Sequence, residues 1–253
     1  MHVPLDDVQA RLRQEGYYVA RLPAGEGDPV QVLVEIARSL GELFVPVDCD
    51  PAAPVIRTAP ARRRRAAPFD RAEQIGWHGD FSTYQDRPEL SLVYITRPDP
   101  RGGDYGAWRL ASVARVIEAL RATDEGRAAV DLLIQEQIPF SYADGQEPQW
   151  FPILEPGSDG SLGLRFYLPS IRRGCTTEYG EVPPRIESAL AALERAADQV
   201  GEVVPTHEGS LLIASNWLAL HDRVRQTISR TQPNREALLC FVAHQHVGGF
   251  TPT

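Results

Sequence analysis

The sequence predicts an all-β core covered by helices and folded as one domain, and three observations predict it. Runs rich in β-branched and aromatic residues recur between turn signals, at residues 16–22, 75–81, 90–96, 209–214 and 236–244. Other segments repeat their apolar residues every three or four positions, the period of a helix that buries one face. The 253 residues, 43% hydrophobic and 24% charged, suffice for one well-buried core and have the proportions of an ordinary globular protein. No internal repeat divides the chain.

The chain opens with a short helix over residues 8–15 and the strand 16–22. A helix over 28–40 places Val30, Leu33, Ile36 and Leu40 on one face, with Gly41 as its C-terminal stop. Residues 51–69 are rich in proline, alanine and arginine, with Arg62, Arg63, Arg64 and Arg65 in succession, and are expected to form an irregular loop. Such a run is more often a solvated loop than a binding device, yet it could close as a lid over an anionic substrate. Strands at 75–81 and 90–96 come next, the second followed by turn-forming residues 98–104. Ser112 is placed to cap a helix through Leu120, and further helices are expected over 125–135 and 183–199. The last of these buries Ile186, Leu190, Leu193 and Ala197. Strands 209–214 and 236–244 flank an arginine-rich connection.

A net charge of −8 and a pI near 5.3 disfavour a nucleic-acid polymer as partner. Every cation is an arginine, which we take as compositional bias. Residues 1–7 lack a basic stretch followed by an apolar run, and no apolar segment is long enough to cross a bilayer, so a cytoplasmic protein is the default expectation. Cys49, Cys175 and Cys240 lie far apart without CxxC spacing, which points to small buried hydrophobes rather than disulfides or a zinc knuckle.

The chemistry concentrates in Trp77-His78-Gly79-Asp80. In an extended segment, side chains two apart share a face, so His78 and Asp80 present an imidazole and a carboxylate together. A distant histidine, for which His221 is the candidate, would complete two histidines and one carboxylate, an arrangement that holds non-haem iron and leaves coordination positions open. A 2-oxo acid can fill two of them while its far carboxylate meets a fixed arginine, a part suited to Arg235. Asp222, next to His221, should face the opposite way, and Arg223 should support the fold nearby. A lone His-x-Asp is weak evidence, and the same-face pair His244 and His246 lacks a third ligand and is expected to be surface or packing residues.

Trp77-His-Gly-Asp80, Gly102-Gly-Asp104, Asn216…His221-Asp-Arg223 and Arg235, in that order, resemble the motifs of the TauD/TfdA family of Fe(II)/2-oxoglutarate dioxygenases. The resemblance spans residues 75–241 and implies that His78, Asp80 and His221 bind iron and that Arg235, fourteen positions after His221, grips 2-oxoglutarate. It also implies a double-stranded β-helix, the jelly roll shared with cupins. The implied reaction uses dioxygen to convert 2-oxoglutarate into succinate and carbon dioxide while a small-molecule substrate is hydroxylated. Asp80 fits hydroxylation rather than halogenation, because the related halogenases vacate that ligand position for halide, while desaturation and ring closure stay open beside hydroxylation. Two departures stand out: Tyr105 occupies the place of a common threonine and could still donate a hydroxyl to 2-oxoglutarate, and Gly79 replaces another threonine and could widen the space near iron.

Arg165, Tyr167, Arg172 and Arg173 lie in a basic and aromatic stretch that resembles the family's substrate-facing strands, and they are the candidates for contact with a small polar substrate, an anionic one included. Trp77, Phe81 and Tyr142 could line a pocket, with core packing the more ordinary role. Two rivals stay open: a jelly-roll enzyme using another metal without 2-oxoglutarate, and a non-catalytic binding module on the same scaffold.

Overall fold

The computed structural model describes residues 3–23, 27–46, 49–58, 68–245, 250 and 252. Helix α1 (Leu5–Glu15), strand β1 (Tyr17–Arg21), helix α2 (Pro29–Leu40) and strands β2 (Gly41–Phe44) and β3 (Ile56–Arg57) come first. A 3-10 turn at Pro68–Asp70 precedes β4 (Leu90–Arg97) and β5 (Trp108–Ser112). Then follow α3 (Val113–Arg121), α4 (Asp124–Gln135), the short strands β6 (Ile138–Phe140), β7 (Gln149–Phe151), β8 (Leu154–Pro156) and β9 (Leu162–Leu164), α5 (Leu168–Tyr179) and α6 (Pro184–Val200). The chain closes with β10 (Glu202–Val204), β11 (Ser210–Ser215), β12 (Ala219–Arg223) and β13 (Glu236–Gln245).

The main sheet runs β1-β11-β4-β13-β2, with β3 also on β13, and all its pairs are antiparallel. A second sheet runs β10-β5-β12. Period-two alternation sorts the core into layers. Leu90, Leu92 and Tyr94 of β4, Leu211 and Ile213 of β11, and Leu238, Cys240 and Val242 of β13 pack beneath α1 and α2. The opposite face of the same strands, with Ile95, Leu212, Ala214, Leu239 and Phe241, meets Trp108, Leu110 and Ala219 of the second sheet. Helices α3 to α6 and the two hairpins form a third cluster that includes Leu220 and Trp77. The result is sheet facing sheet with helices outside both, and the inward-pointing positions of β4, β11 and β12 bound the space between the sheets. No helix among the described residues is long and apolar enough to cross a membrane.

The strongly periodic elements fall within a few residues of expectation. Asp28 Oδ1 accepts the Val30 N–H at 3.1 Å and caps α2, and Thr123 Oγ1 accepts the Gly126 N–H at 3.0 Å and starts α4. Ser112 stands at the N-cap of α3 without a side-chain capping bond. Gly41 is not a left-handed stop: its φ of 173° is extended and it begins β2. A Cβ there would lie 1.9 Å from the His244 carbonyl oxygen, so glycine permits β13 to pass closely. The segment expected as an irregular loop carries β3, with the Thr58 N–H bonded to the Ala237 carbonyl and the Ala237 N–H to Thr58 Oγ1. Arg62, Arg63, Arg64, Arg65 and His246 lie outside the described residues. Cys175 and Cys240 are buried as expected, whereas Cys49 is only partly so.

Residues 75–81 do not form the expected strand. Gly76 (φ 92°) and Phe81 (φ 56°) have left-handed backbones that interrupt a ladder, leaving two isolated bridges at His78, to Tyr167 and to His221, and a turn from Asp80. Residues 164–173 also differ, since the backbone leaves β9 and enters α5 with a proline in the first turn. Arg172 and Arg173 are therefore on a helix rather than on a strand.

Candidate metal centre

The site begins with a backbone pairing. The His78 N–H donates to the His221 carbonyl at 3.0 Å and the His221 N–H to the His78 carbonyl at 2.9 Å, so the two histidines sit directly opposite each other. Their ring centroids are 4.3 Å apart. Asp80 completes the group: His78 Nε2 is 3.7 Å from Oδ1 and His221 Nε2 is 3.5 Å from Oδ2. One ligand atom from each of His78, Asp80 and His221 falls within 4.8 Å of the other two.

The surrounding bonds aim these atoms. His78 Nδ1 donates to the Gly76 carbonyl at 2.7 Å, which leaves the Nε2 lone pair for a ligand. Gly76 is itself anchored by its N–H to Asp222 Oδ1 at 2.9 Å. Asp222 faces away from the cluster as the alternation requires, taking Gln74 Nε2 and, at 3.1 Å, Arg109 Nη1 on its other oxygen. Arg109 also pairs with Asp198 and covers the Trp77 ring at 4.3 Å, while Trp77 Nε1 donates to Asp198 at 2.8 Å.

Burial and the adjacent His221 push the His78 imidazole down to about 4, so it is neutral near neutral pH. Burial alone would raise Asp80, but His221 by charge and hydrogen bond, then His78 and the Ser91 hydroxyl, hold its carboxyl well below the usual range. The set therefore offers two imidazole nitrogens and one carboxylate as donors.

Phe81 follows Asp80 and packs edge to face on Phe44, Tyr84 and Phe241, an apolar wall beside the carboxylate. Trp77 is core, whereas Tyr142 is 73% exposed and does not pack as expected. A Cβ on Gly79 would lie 3.2 Å from the Asn216 carbonyl oxygen, so the glycine admits the close approach of the residue that follows β11.

Arg235 is 3% exposed; its Nε has no hydrogen-bond partner, and no acidic residue among those described forms an ion pair with it. Burial, then the charge of Arg223, makes its cationic form costly, with Asp99 opposing. Gly106 lies against it, for a Cβ there would be 2.6 Å from Arg235 Cδ. Tyr105, one residue earlier, has its ring beneath the Arg101 guanidinium at 4.4 Å. Arg223 donates to the carbonyls of Arg71 (2.9 Å) and Glu73 (2.8 Å), and Gln226 to those of Phe69 (3.1 Å) and Arg71 (2.7 Å). The two side chains thus fasten the segment that leads to His78.

Of the substrate candidates, only Tyr167 meets the cluster, bridging His78 through its backbone with its ring 5.8 Å from the His78 ring. Arg165 is 2% exposed and committed to Glu155 Oε1 (3.0 Å) and to the Ser82 (3.2 Å) and Tyr84 (2.6 Å) carbonyls, so it braces the turn after Asp80 rather than facing a ligand. Arg172 reaches Glu187 of α6. Arg173 pairs with Asp144 at 2.8 Å and holds the Ser141 and Tyr142 carbonyls. The exposed His244 approaches Glu89. Sequence reasoning missed Ser91 and Arg109 and gave Asn216 no role; a serine at an inward position of the apolar run 90–95 was the available signal.

Three convergent N and O donors, with the buried Arg235 guanidinium in the same fold carrying an unpartnered Nε and no ion pair among the described residues, fit mononuclear non-haem iron and an anionic co-substrate. That defines a class of metal-dependent oxygenases, and the sequence makes the class specific. Residues 30–240 match the taurine catabolism dioxygenase TauD, TfdA family, and the chain belongs to that family. It is an Fe(II)/2-oxoglutarate-dependent dioxygenase, with dioxygen as the other co-substrate.

Solved structures share the fold. An asparagine oxygenase in complex with Fe(II), 2S,3S-3-hydroxyasparagine and succinate is similar with a TM-score of 0.76 at 21% identity, over 94% of this chain and 78% of that one. The non-heme iron oxygenase OrfP in complex with Fe and alpha-ketoglutaric acid gives 0.69 at 14%, over 96% and 80%. PvcB from Pseudomonas aeruginosa gives 0.68 at 18%, over 95% and 80%. No curated protein matches the chain significantly.

Proposed function

We propose that the chain hydroxylates an unactivated C–H bond of a small polar metabolite bearing an anionic group, releasing succinate and carbon dioxide. In this reading His78, Asp80 and His221 hold the iron, Arg235 takes the distal carboxylate of 2-oxoglutarate, and the chain is one domain built on a double-stranded β-helix. The observation that carries it is the convergence of His78 Nε2, His221 Nε2 and the Asp80 carboxylate, with the remaining His78 nitrogen already engaged by Gly76. When bound, iron and 2-oxoglutarate supply the activation of dioxygen and the oxidation of the C–H bond.

The chain's own residues do the rest. Gly76, held by Asp222, keeps His78 in the tautomer that presents Nε2 outward. Phe81, Phe44 and Phe241 keep water from one side of the carboxylate. Tyr167 is the substrate-side residue: burial raises its phenol, while the charges of Arg71 and Arg173 reach it and pull the other way, which favours an anionic group nearby. The hydroxylated amino acid held by the similar asparagine oxygenase carries such a group and supports a carboxylate-bearing substrate. Tyr105 is retained as a secondary hydroxyl for the co-substrate.

The test is an anaerobic titration with Fe(II) and then 2-oxoglutarate, followed by the visible metal-to-ligand charge-transfer band of the chelate, with His78→Ala as control. A band in the parent that vanishes in the variant is the expected result, and a panel of free amino acids is then screened for substrate-stimulated succinate. Folded, metal-loaded protein without a band would move the assignment to an enzyme using its metal without 2-oxoglutarate, and absence of bound metal to a binding module.

A further inference from the structure

The carboxylate of Asp80 is held by a ring of hydrogen bonds that starts and ends on the same residue. The Asp80 N–H donates to Asn216 Oδ1 at 3.0 Å, Asn216 Nδ2 donates to Ser91 Oγ at 3.0 Å, and the Ser91 hydroxyl donates to Asp80 Oδ2 at 2.6 Å. The orientation of the Asn216 amide is fixed without appeal to hydrogens. Its oxygen faces a backbone N–H, which can only donate, and its nitrogen also faces the Pro88 carbonyl at 3.0 Å, which can only accept. With an amide proton on Ser91 Oγ, the serine's own proton is directed at the carboxylate, the charged acceptor and the shorter contact; the Asn216 oxygen is 3.2 Å away.

The ring is part of the rigid scaffold. Ser91 and Asn216 are 1% and 0% exposed. Ser91 occupies the inward face of β4, the central strand between β11 and β13, and Asn216 directly follows β11. Asp80 by contrast stands in a turn, followed by Phe81 with its left-handed backbone. A ligand on a turn next to a strained residue has no strand to fix its carboxylate rotation, and the ring supplies that constraint.

We propose that Ser91, oriented by Asn216, is a positioning residue that engages Asp80 Oδ2 and thereby makes the carboxylate a one-oxygen ligand. Oδ2 is occupied by the serine, so chelation of the ion by both oxygens is opposed and coordination positions stay open for co-substrate and dioxygen. The proposal rests on the assignment of Asp80 as an iron ligand.

The experiment compares the full chain with Ser91→Ala and Ser91→Thr, using cobalt(II) as a spectroscopic stand-in for iron. Affinity is read from direct titration, coordination number from the visible ligand-field spectrum, and folding from the melting temperature of the metal-free proteins. Loss of an outer hydrogen-bond partner of a ligand typically weakens metal binding by about 10- to 100-fold. We expect Ser91→Ala to lose roughly tenfold in cobalt affinity and to change its ligand-field spectrum, and Ser91→Thr, which keeps the hydroxyl, to restore both. Parent-like affinity and spectrum in Ser91→Ala would overturn the proposal. So would equal losses in the two variants, which would assign the effect to packing. A parent protein that binds no cobalt would instead overturn the assignment of Asp80, His78 and His221 as ligands.

Discussion

Replacing Arg235 with methionine separates the cost of a residue from its use. The guanidinium is 3% exposed, lacks a partner at Nε and has no ion pair among the described residues, while Arg223 repels it. An unsatisfied buried donor costs about 1–3 kcal/mol, and a methionine of similar length removes that cost while keeping apolar volume against Gly106. For a chain of this size each kcal/mol moves the melting temperature by about 2–4 °C. Metal-free Arg235→Met should therefore melt roughly 2–12 °C above the parent. The same change removes the charge-assisted pair proposed with the distal carboxylate of 2-oxoglutarate, worth about 3 kcal/mol or a loss of about 150-fold in affinity. Differential scanning fluorimetry measures the first effect and the anaerobic charge-transfer titration the second. A variant that melts lower than the parent would show that the charge is satisfied within the protein. A variant that keeps its 2-oxoglutarate affinity would remove Arg235 from the co-substrate site.

Two further outcomes follow from the same geometry. His78 titrates near 4 when folded against about 6.5 when unfolded, so the unfolded chain takes up the proton first as pH falls. Asp80, held low, acts in the same sense below the ordinary carboxylate range. The melting temperature of the metal-free protein should accordingly decline from about pH 6.5 downward, and a His78→Asn variant should show a shallower decline between pH 6.5 and 4; identical slopes would refute the low imidazole value. Arg223→Ala should cost about 2–4 kcal/mol and accelerate amide exchange over residues 71–76, because the carbonyls of Arg71 and Glu73 lose a charged donor; unchanged exchange there would show that Gln226 alone fastens the segment.

The legible parts of the fold were those whose period is set by one buried face. Val30, Leu33, Ile36 and Leu40 marked α2, and Ile186, Leu190 and Leu193 marked α6, because a helix on a sheet repeats the same contact every turn. Strand β12, Ala-Leu-His-Asp-Arg, was legible only around His221 and Asp222 and not as a bounded element, because all five of its residues are buried, polar ones included, which erases the alternation of burial. Helix α5 was missed because Arg165 and Tyr167 upstream look like strand residues, while its own signals, Pro169 in the first turn and Gly180 at the end, are short. At the site, His78, Asp80 and His221 were readable as residue types in order. Their outer partners were not, since Ser91 and Asn216 meet Asp80 only through the pairing of β4 with β11. The reading of Arg165 as a substrate contact failed for a similar reason: no local pattern reveals that Glu155 and two carbonyls of the turn after Asp80 consume its donors.

The reciprocal backbone bonds between His78 and His221 make the spacing of two ligands a property of main-chain geometry. Side-chain exchanges on surrounding loops can reshape the cavity without moving that spacing, so the centre can be inherited intact while selectivity drifts. The same feature separates assembly of the polypeptide from acquisition of the ion. Protein made under iron starvation should reach its native state and be reconstituted afterwards, and a chelator should strip the centre reversibly instead of denaturing the chain.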